Sequence, residues 1–291
     1  MRVIYHIGAH NTDEDRLVRC LLKNKGKLAA EGIIVPGTGR YRPFLRDTMN
    51  SLQGATPTRE AQDVILDALM DEEEAKRIVL SSESFLSPAE KVFSTGRFYP
   101  NAGDRVAAMA NLFPQSQSAF FLGIRNPATI LPELFARLKG LSYDDFVAGS
   151  DLTKLCWSET IRRIRAAVPD SPLTVWSNED TPLIFPEIIA ALSGHSPGMA
   201  LGGLYDLVSE IMSPDGAKRL RAYLSSRPPQ TVMQRRRVTS AFLDKFGLAD
   251  QIEQELDLPG WTTDFVETLT DLYEEDIDLI QRIPGVTFIA A

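Results

Sequence analysis

Cysteine, histidine and tryptophan are scarce in this chain: two, three and three residues among 291. Two thiols, Cys20 and Cys156, are too few for a disulfide framework, so a reducing cytoplasm is the expected setting. His6 and His10 do not show a zinc-ligand spacing, so no zinc site is expected from them. No apolar run approaches the roughly 20 residues that a membrane helix needs. The opening MRVIYHIGAH is too short, and too soon interrupted by histidine, to serve as a signal peptide. Positive charge is in deficit as well, with 31 basic against 39 acidic side chains and a net charge of −8. That balance argues against nucleic acid as the main partner, because phosphate binding needs local positive charge. What is present, 44% hydrophobic and 24% charged residues, suits a globular protein and excludes a collagen-like or wholly disordered one.

Apolar runs and periodicity give the order of elements. Val3 to Ile7 reads as a buried strand ending at Gly8. A helix is expected from about Thr12 to Ala30, with Leu17, Val18, Leu21, Leu22 and Leu28 on one stripe. Residues 33–35 form a short strand closed by Pro36-Gly37, and 36–57 read as a long loop without clear period. Val64, Ile65, Ala68 and Leu69 mark a second helix. Strands come next at 77–81, 119–124 and 173–176, the middle one apolar on both faces and therefore central. A helix opens at Pro127, a favoured first-turn residue. Alternating strands and helices imply right-handed crossovers and a parallel sheet covered on both sides. After about residue 180 the signal is helical, near 181–193, 215–225, 230–246 and 262–281, until an apolar tail at 285–289 that fits a small edge strand. The expected organisation is one α/β domain over 1–291, with a parallel-sheet core over 1–180 and a mainly helical extension over 181–291.

In such sheets ligands lie beyond the carboxyl ends of the strands. The first junction reads Gly8-Ala9-His10-Asn11-Thr12-Asp13-Glu14-Asp15. With its flanking residues, the stretch IYHIGAHNTDEDRLVRCLLKNKGKLAAEGIIVP resembles the opening of bacterial sulfotransferase-like proteins. Their usual form is H-I-G-x-H-K-T-G-T-T, a helix, then N-x-x-x-L-x-x-x-G-I-x-x-P. His6, Ile7, Gly8, His10, Thr12, Asn24, Leu28, Gly32, Ile33 and Pro36 match it. The resemblance implies a P-loop-NTPase-like parallel sheet flanked by helices. It also implies transfer of a sulfonyl group from 3′-phosphoadenosine 5′-phosphosulfate (PAPS) to a hydroxyl or amine of a small-molecule or glycan acceptor.

By that resemblance Gly8, Ala9, His10, Asn11 and Thr12 would cradle the 5′-phosphosulfate, as backbone N–H groups at a helix N-terminus do for anions. The sequence departs from the pattern here: the family lysine is Asn11, its glycine Asp13, and its two following threonines Glu14 and Asp15. Thr12 with the three acids also fits plain cap chemistry, favoured by the helix dipole. A cation held by His10 and these acids, serving a different transfer reaction, is a further alternative. Unit charges about 5 Å apart repel by roughly 3 kcal/mol at an effective dielectric near 20. Several such pairs would weaken nucleotide binding by about a thousandfold or more.

The family's second anion site, R-x-P with a serine eight residues after the arginine, holds the nucleotide 3′-phosphate. Arg125-Asn126-Pro127 resembles it, but position eight is Glu133. Arg125 is thus either a phosphate ligand or the ion-pair partner of Glu133 or of another strand-end acid. Ser81-Ser82-Glu83-Ser84 resembles the family's S-x-E, which would make Glu83 the base that takes the acceptor's proton, with His10 a second proton-transfer group. Glu83 reads equally as a helix-start acid. Arg235 to Arg237 reads as a solvated helix face or a late phosphate ligand, and Arg40, Arg42 and Arg46 as the lining of an anionic acceptor site or as balance for local acids. Trp261 and Tyr273 read as core, Glu274-Glu275-Asp276 as a solvated face. His195 lies in a turn, and without a G-x-S-x-G elbow there is little support for a Ser-His-Asp triad. Two readings result: a transferase with a degenerate or repurposed cofactor site, or a non-catalytic relative that uses the scaffold for binding or assembly.

Overall fold

The structure, a computed structural model, describes residues 1–72, 74–94, 96–249 and 258–291. The helices are α1 (Arg16–Lys23), α2 (Lys25–Ala30), α3 (Thr38–Leu52), α4 (Arg59–Leu69), α5 (Ala102–Asn111), α6 (Pro127–Arg137), α7 (Tyr143–Val147), α8 (Trp157–Ala167), α9 (Thr181–Ser193), α10 (Asp206–Glu210), α11 (Pro214–Ser226), α12 (Val232–Phe246) and α13 (Thr263–Gln281). The strands are β1 (Arg2–His6), β2 (Ile33–Ile34), β3 (Arg77–Ser81), β4 (Phe93–Ser94), β5 (Arg97–Phe98), β6 (Gln117–Ile124), β7 (Leu173–Ser177) and β8 (Val286–Phe288). Six of them build one sheet in the order β2-β3-β1-β6-β7-β8, every neighbouring pair parallel. β4 and β5 form a separate antiparallel pair.

Both faces of the sheet are covered, as parallel sheets require. On one face Val3, Tyr5, Ile78, Leu80, Phe120 and Leu122 join the cluster built with α3 to α6, α8 and α13. On the other, Ile4, Val79, Phe121 and Trp176 meet α1, α2 and α9. The period-2 alternation within each strand sends successive side chains to opposite clusters. β6 is central and buried from Ser118 to Ile124, and β8 pairs with β7 as an edge strand, both as expected. After residue 180, α9 and α11 to α13 lie within a few residues of their expected positions, and α10 is a short helix beyond those expected.

Three expectations change. The helix expected over 12–30 begins at Arg16 and breaks at Asn24. The Asn24 amide donates to the carbonyls of Cys20 and Gly202 (both 2.8 Å) and accepts the Gly202 N–H at 2.8 Å. That side chain trades helix continuity for a tie to the segment before α10. The segment 36–57 is not a loop: α3 occupies most of it, burying Tyr41, Leu45 and Met49 at four-residue spacing. Gly37, Gly39 and Pro43 mask this stripe in the sequence, and Pro43 sits inside the helix. Nor is Glu274-Glu275-Asp276 wholly solvated. Asp276 is buried, and its Oδ2 accepts the Trp157 and Ser158 N–H groups at 2.6 and 3.0 Å, so α13 caps the N-terminus of α8.

The chain leaves β1 toward β2 and β3 on one side, then crosses to β6, β7 and β8 on the other. The direction of winding therefore changes between β1 and β6, which places the topological switch point at their carboxyl ends. In-register pairing of His6 with Ser81 and Phe121, and of Ile124 with Ser177, brings four loops to that edge. Those loops begin at Ile7, Ser82, Arg125 and Asn178.

Candidate functional site

The β1 loop is laid onto β6 by main-chain bonds. Ala9 N–H donates to Gly123 O, and Gly123 N–H to Gly8 O, both at 2.8 Å. Gly8 has φ +107°, and a Cβ there would come within 3.3 Å of the Glu83 carbonyl, so the position needs glycine on both counts. Asn11, Glu14 and Asp15 adopt positive φ values of 56°, 46° and 65°. Asn and Asp tolerate that left-handed region through local hydrogen bonding, and glutamate does so less readily.

Thr12 is not the cap of α1. Its Oγ1 donates to Ala9 O at 2.7 Å and closes the loop, while the Asp13 carboxylate accepts the Leu17 N–H at 3.2 Å. Asp13 thus takes a helix N–H that would otherwise be open to a bound anion. Asp15, beside it, is held by both Arg42 guanidinium nitrogens at 2.9 and 2.5 Å. Those hydrogen bonds keep the Asp15 carboxyl below the ordinary carboxylate range.

Arg125 leaves the end of β6 and is only 8% exposed at its side chain. Its guanidinium makes two bonds to Glu133, Nη1 to Oε2 at 2.8 Å and Nη2 to Oε1 at 2.6 Å. Nη1 also donates to the Asn11 carbonyl, and Nε to Thr129 Oγ1 at 3.0 Å. Glu133 Oε2 accepts the Asn11 side-chain amide at 2.7 Å as well. One carboxylate therefore ties both expected anion sites together, Asn11 where the family pattern has lysine and Arg125 at the strand end. A fork-on-fork pair of this kind is the strongest ion-pair geometry that arginine has. Of the two roles open to Arg125, the structure has it paired with Glu133.

Glu83 comes after β3 in a turn, not at a helix start. Arg137 donates to its Oε1 at 3.1 Å, and its Oε2 faces the Asn11 N–H at a long 3.4 Å. His10 is 1% exposed and stacks on Tyr99 with ring centroids 5.9 Å apart. Its backbone N–H donates to Tyr99 Oη at 2.8 Å, and Nδ1 lies 2.9 Å from the same oxygen. The buried Nε2 has no partner among the described residues. Burial holds the His10 pKa below its ordinary value, with the Glu83 charge opposing, which keeps the imidazole neutral. His6 is buried, bonded through Nδ1 to Ser81 Oγ at 2.8 Å and stacked against Trp176.

The structure brings Gly8 to Thr12, Glu83, Arg125 and Glu133 to one edge. Four further residues there carry no strong signal in the sequence. Arg137 is the most legible of them, four residues after Glu133 on one face of α6. Glu179 lies just past the end of β7 and accepts the Asn126 N–H at 2.9 Å, the Ser177 hydroxyl at 2.6 Å and the Tyr273 hydroxyl at 3.1 Å. Tyr99 and Trp157, whose indole donates to Arg125 O at 2.8 Å, reach the site from distant segments without a local signal. Arg235 and Arg236 lie on neither a free face nor this edge. They pair with Glu187 at 3.0 Å each and pin α12 to α9. Arg40 pairs with Asp71 at 2.8 Å. Trp261 and Tyr273 pack on the main core as expected.

The chemical character of this edge is self-neutralisation. Arg125, Arg137 and Arg42 each have a carboxylate of their own, and Glu179 and Asp13 occupy main-chain N–H groups at the starts of α6 and α1. Among the described residues no three His, Cys, Asp or Glu side chains are grouped so as to hold a metal ion, and none of their helices is long and apolar enough to cross a membrane. Compared with known proteins, the chain matches no family model, no curated protein and no solved structure.

Proposed function

We propose that the chain is a sulfotransferase-like protein whose nucleotide cradle is filled by its own carboxylates, and that it acts as a non-catalytic binding or assembly protein. The observation that supports this most is Glu133, which binds Arg125 through both oxygens and Asn11 through one. Arg125 and Asn11 stand where the family pattern puts its two phosphate-binding cations. A nucleotide entering there has to displace Glu133 and leave that carboxylate beside its own phosphate. The parallel sheet with its switch point at Gly8 is compatible with a P-loop-like ancestry. An active enzyme would instead use PAPS in this cradle and Glu83, with His10, for proton transfer to and from an acceptor.

Restoring the pattern tests the reading. The variant Asn11→Lys, Asp13→Gly, Glu14→Thr, Asp15→Thr, Glu133→Ser removes four negative charges, including the carboxylate that holds Arg125, and adds one positive. By calorimetry it should gain affinity for adenosine 3′,5′-bisphosphate, by about a hundredfold or more from the charge change alone. A folded variant with unchanged affinity would count against the proposal.

A further inference from the structure

A cavity of about 750 Å³ opens just past Glu83 in the chain, between α3, the segment after β3, the β4–β5 pair and the start of α5. That volume is within the range of small-molecule sites. Its charge runs against the rest of the chain. Arg46, Lys91 and Arg105 line it, and none of the described lining residues is an aspartate or glutamate, in a protein of net charge −8.

These cations are not used up internally, unlike those at the switch point. Arg105 spends Nε on the Phe85 carbonyl at 3.1 Å, and its two terminal nitrogens have no partner among the described residues. It is also half-buried, which makes its charge costly without a counter-ion. Lys91 makes no ion pair among the described residues. Among the described residues Arg46 pairs only with its neighbour Asp47 at 2.9 Å, with both side chains more than 60% exposed (64% and 67%), and an exposed pair of that kind contributes little. Asp104 lies in the first turn of α5 but does not line the cavity.

The remaining lining narrows the ligand. Asn50 and Ser84 offer an amide and a hydroxyl, which bond to hydroxyls as donor and acceptor alike, and Ser87, whose hydroxyl donates to Pro88 O at 2.8 Å, offers an acceptor. Leu86 supplies a buried apolar wall. We infer that this cavity binds a polyhydroxylated organic anion, a sugar or polyol bearing a phosphate or carboxylate, with Arg46, Lys91 and Arg105 on the charged group. This inference is independent of the nucleotide cradle, since none of its residues touches the Arg125–Glu133 pair.

The test is calorimetric titration of the full chain with glucose 6-phosphate, glucuronate and uncharged glucose. At least one of the two anions binds, and glucose binds about tenfold more weakly or worse, the loss expected for a charge-assisted hydrogen bond. The double variant Arg46→Ala, Lys91→Ala alters two exposed side chains and leaves the circular dichroism spectrum as it was. In it the anion's affinity falls about tenfold or more, while that of glucose does not change. The inference is overturned if neither anion binds at millimolar concentration, if glucose binds as well as the anions, or if the double variant retains full affinity.

Discussion

Glu133→Gln separates the two jobs assigned to this side chain, neutralising Arg125 and excluding an outside anion. The substitution keeps the shape and removes the charge. Arg125 is 8% exposed and Glu133 34% exposed, joined by bonds of 2.6 and 2.8 Å. Removing one partner of a fully buried pair costs about 3–5 kcal/mol, because the other charge is left uncompensated. Glu133 is one-third open to solvent, and a glutamine oxygen retains one hydrogen bond, so about 1–2 kcal/mol is the reasonable figure here. For a chain of this size that lowers Tm by roughly 2–3 °C. The second half of the effect has the opposite sign. With Glu133 neutral, Arg125 is a free buried cation, and sulfate or adenosine 3′,5′-bisphosphate should stabilise the variant far more than the wild type. Nucleotide affinity should rise about five- to thirtyfold, matching the energy no longer spent on displacing the carboxylate. Urea denaturation of both proteins, with and without ligand, reads both terms. A variant as stable as the wild type, and as indifferent to anions, would refute the reasoning.

The buried polar groups give two more expected outcomes. Asp276→Asn takes the charge from the side chain that caps α8 from α13, leaving the Trp157 and Ser158 N–H groups with a weaker acceptor. A loss of about 1–2 kcal/mol is expected in urea denaturation, and no loss would mean that α8 is held by its apolar contacts alone. All three histidines, His6, His10 and His195, have pKa values lowered in the fold, with burial the leading cause in each. The folded state therefore binds their protons less readily than the unfolded chain does. Their contribution is complete above the unfolded value of 6.5 and is lost as pH falls below it. His6→Asn should reduce the acid dependence of stability below pH 6.5; an unchanged slope would show that His6 takes no part in it.

Whether an element was legible in the sequence depended on whether its signal was local. Strands rich in Ile, Val and Phe, such as Ile78-Val79-Leu80 and Phe120-Phe121-Leu122, announce themselves, and Pro127 marks the start of α6 correctly because its fixed φ suits a first turn. The Arg125–Glu133 pair was open to inference because strand end and helix adjoin in sequence. By contrast, α3 was concealed by glycines and a proline whose propensities were overridden by the burial of Tyr41, Leu45 and Met49. Thr12 does not cap α1, whose N-cap position falls at Asp15, because the Thr12 hydroxyl closes the loop on Ala9, and the Asp13 carboxylate takes the Leu17 N–H instead. Contacts such as Tyr99 with His10, or Asp276 with Trp157, join segments 89 and 119 residues apart. No periodicity records them, since they exist only once the sheet order is set.

Closure of the cradle beyond β1 and β6 to adenosine 3′,5′-bisphosphate is the central claim. Titrating that nucleotide into the unaltered protein in a calorimeter, at low salt where phosphate contacts are strongest, asks this directly. No heat of binding at millimolar nucleotide is the expected result. Saturable micromolar binding, abolished by Arg125→Ala, would contradict it.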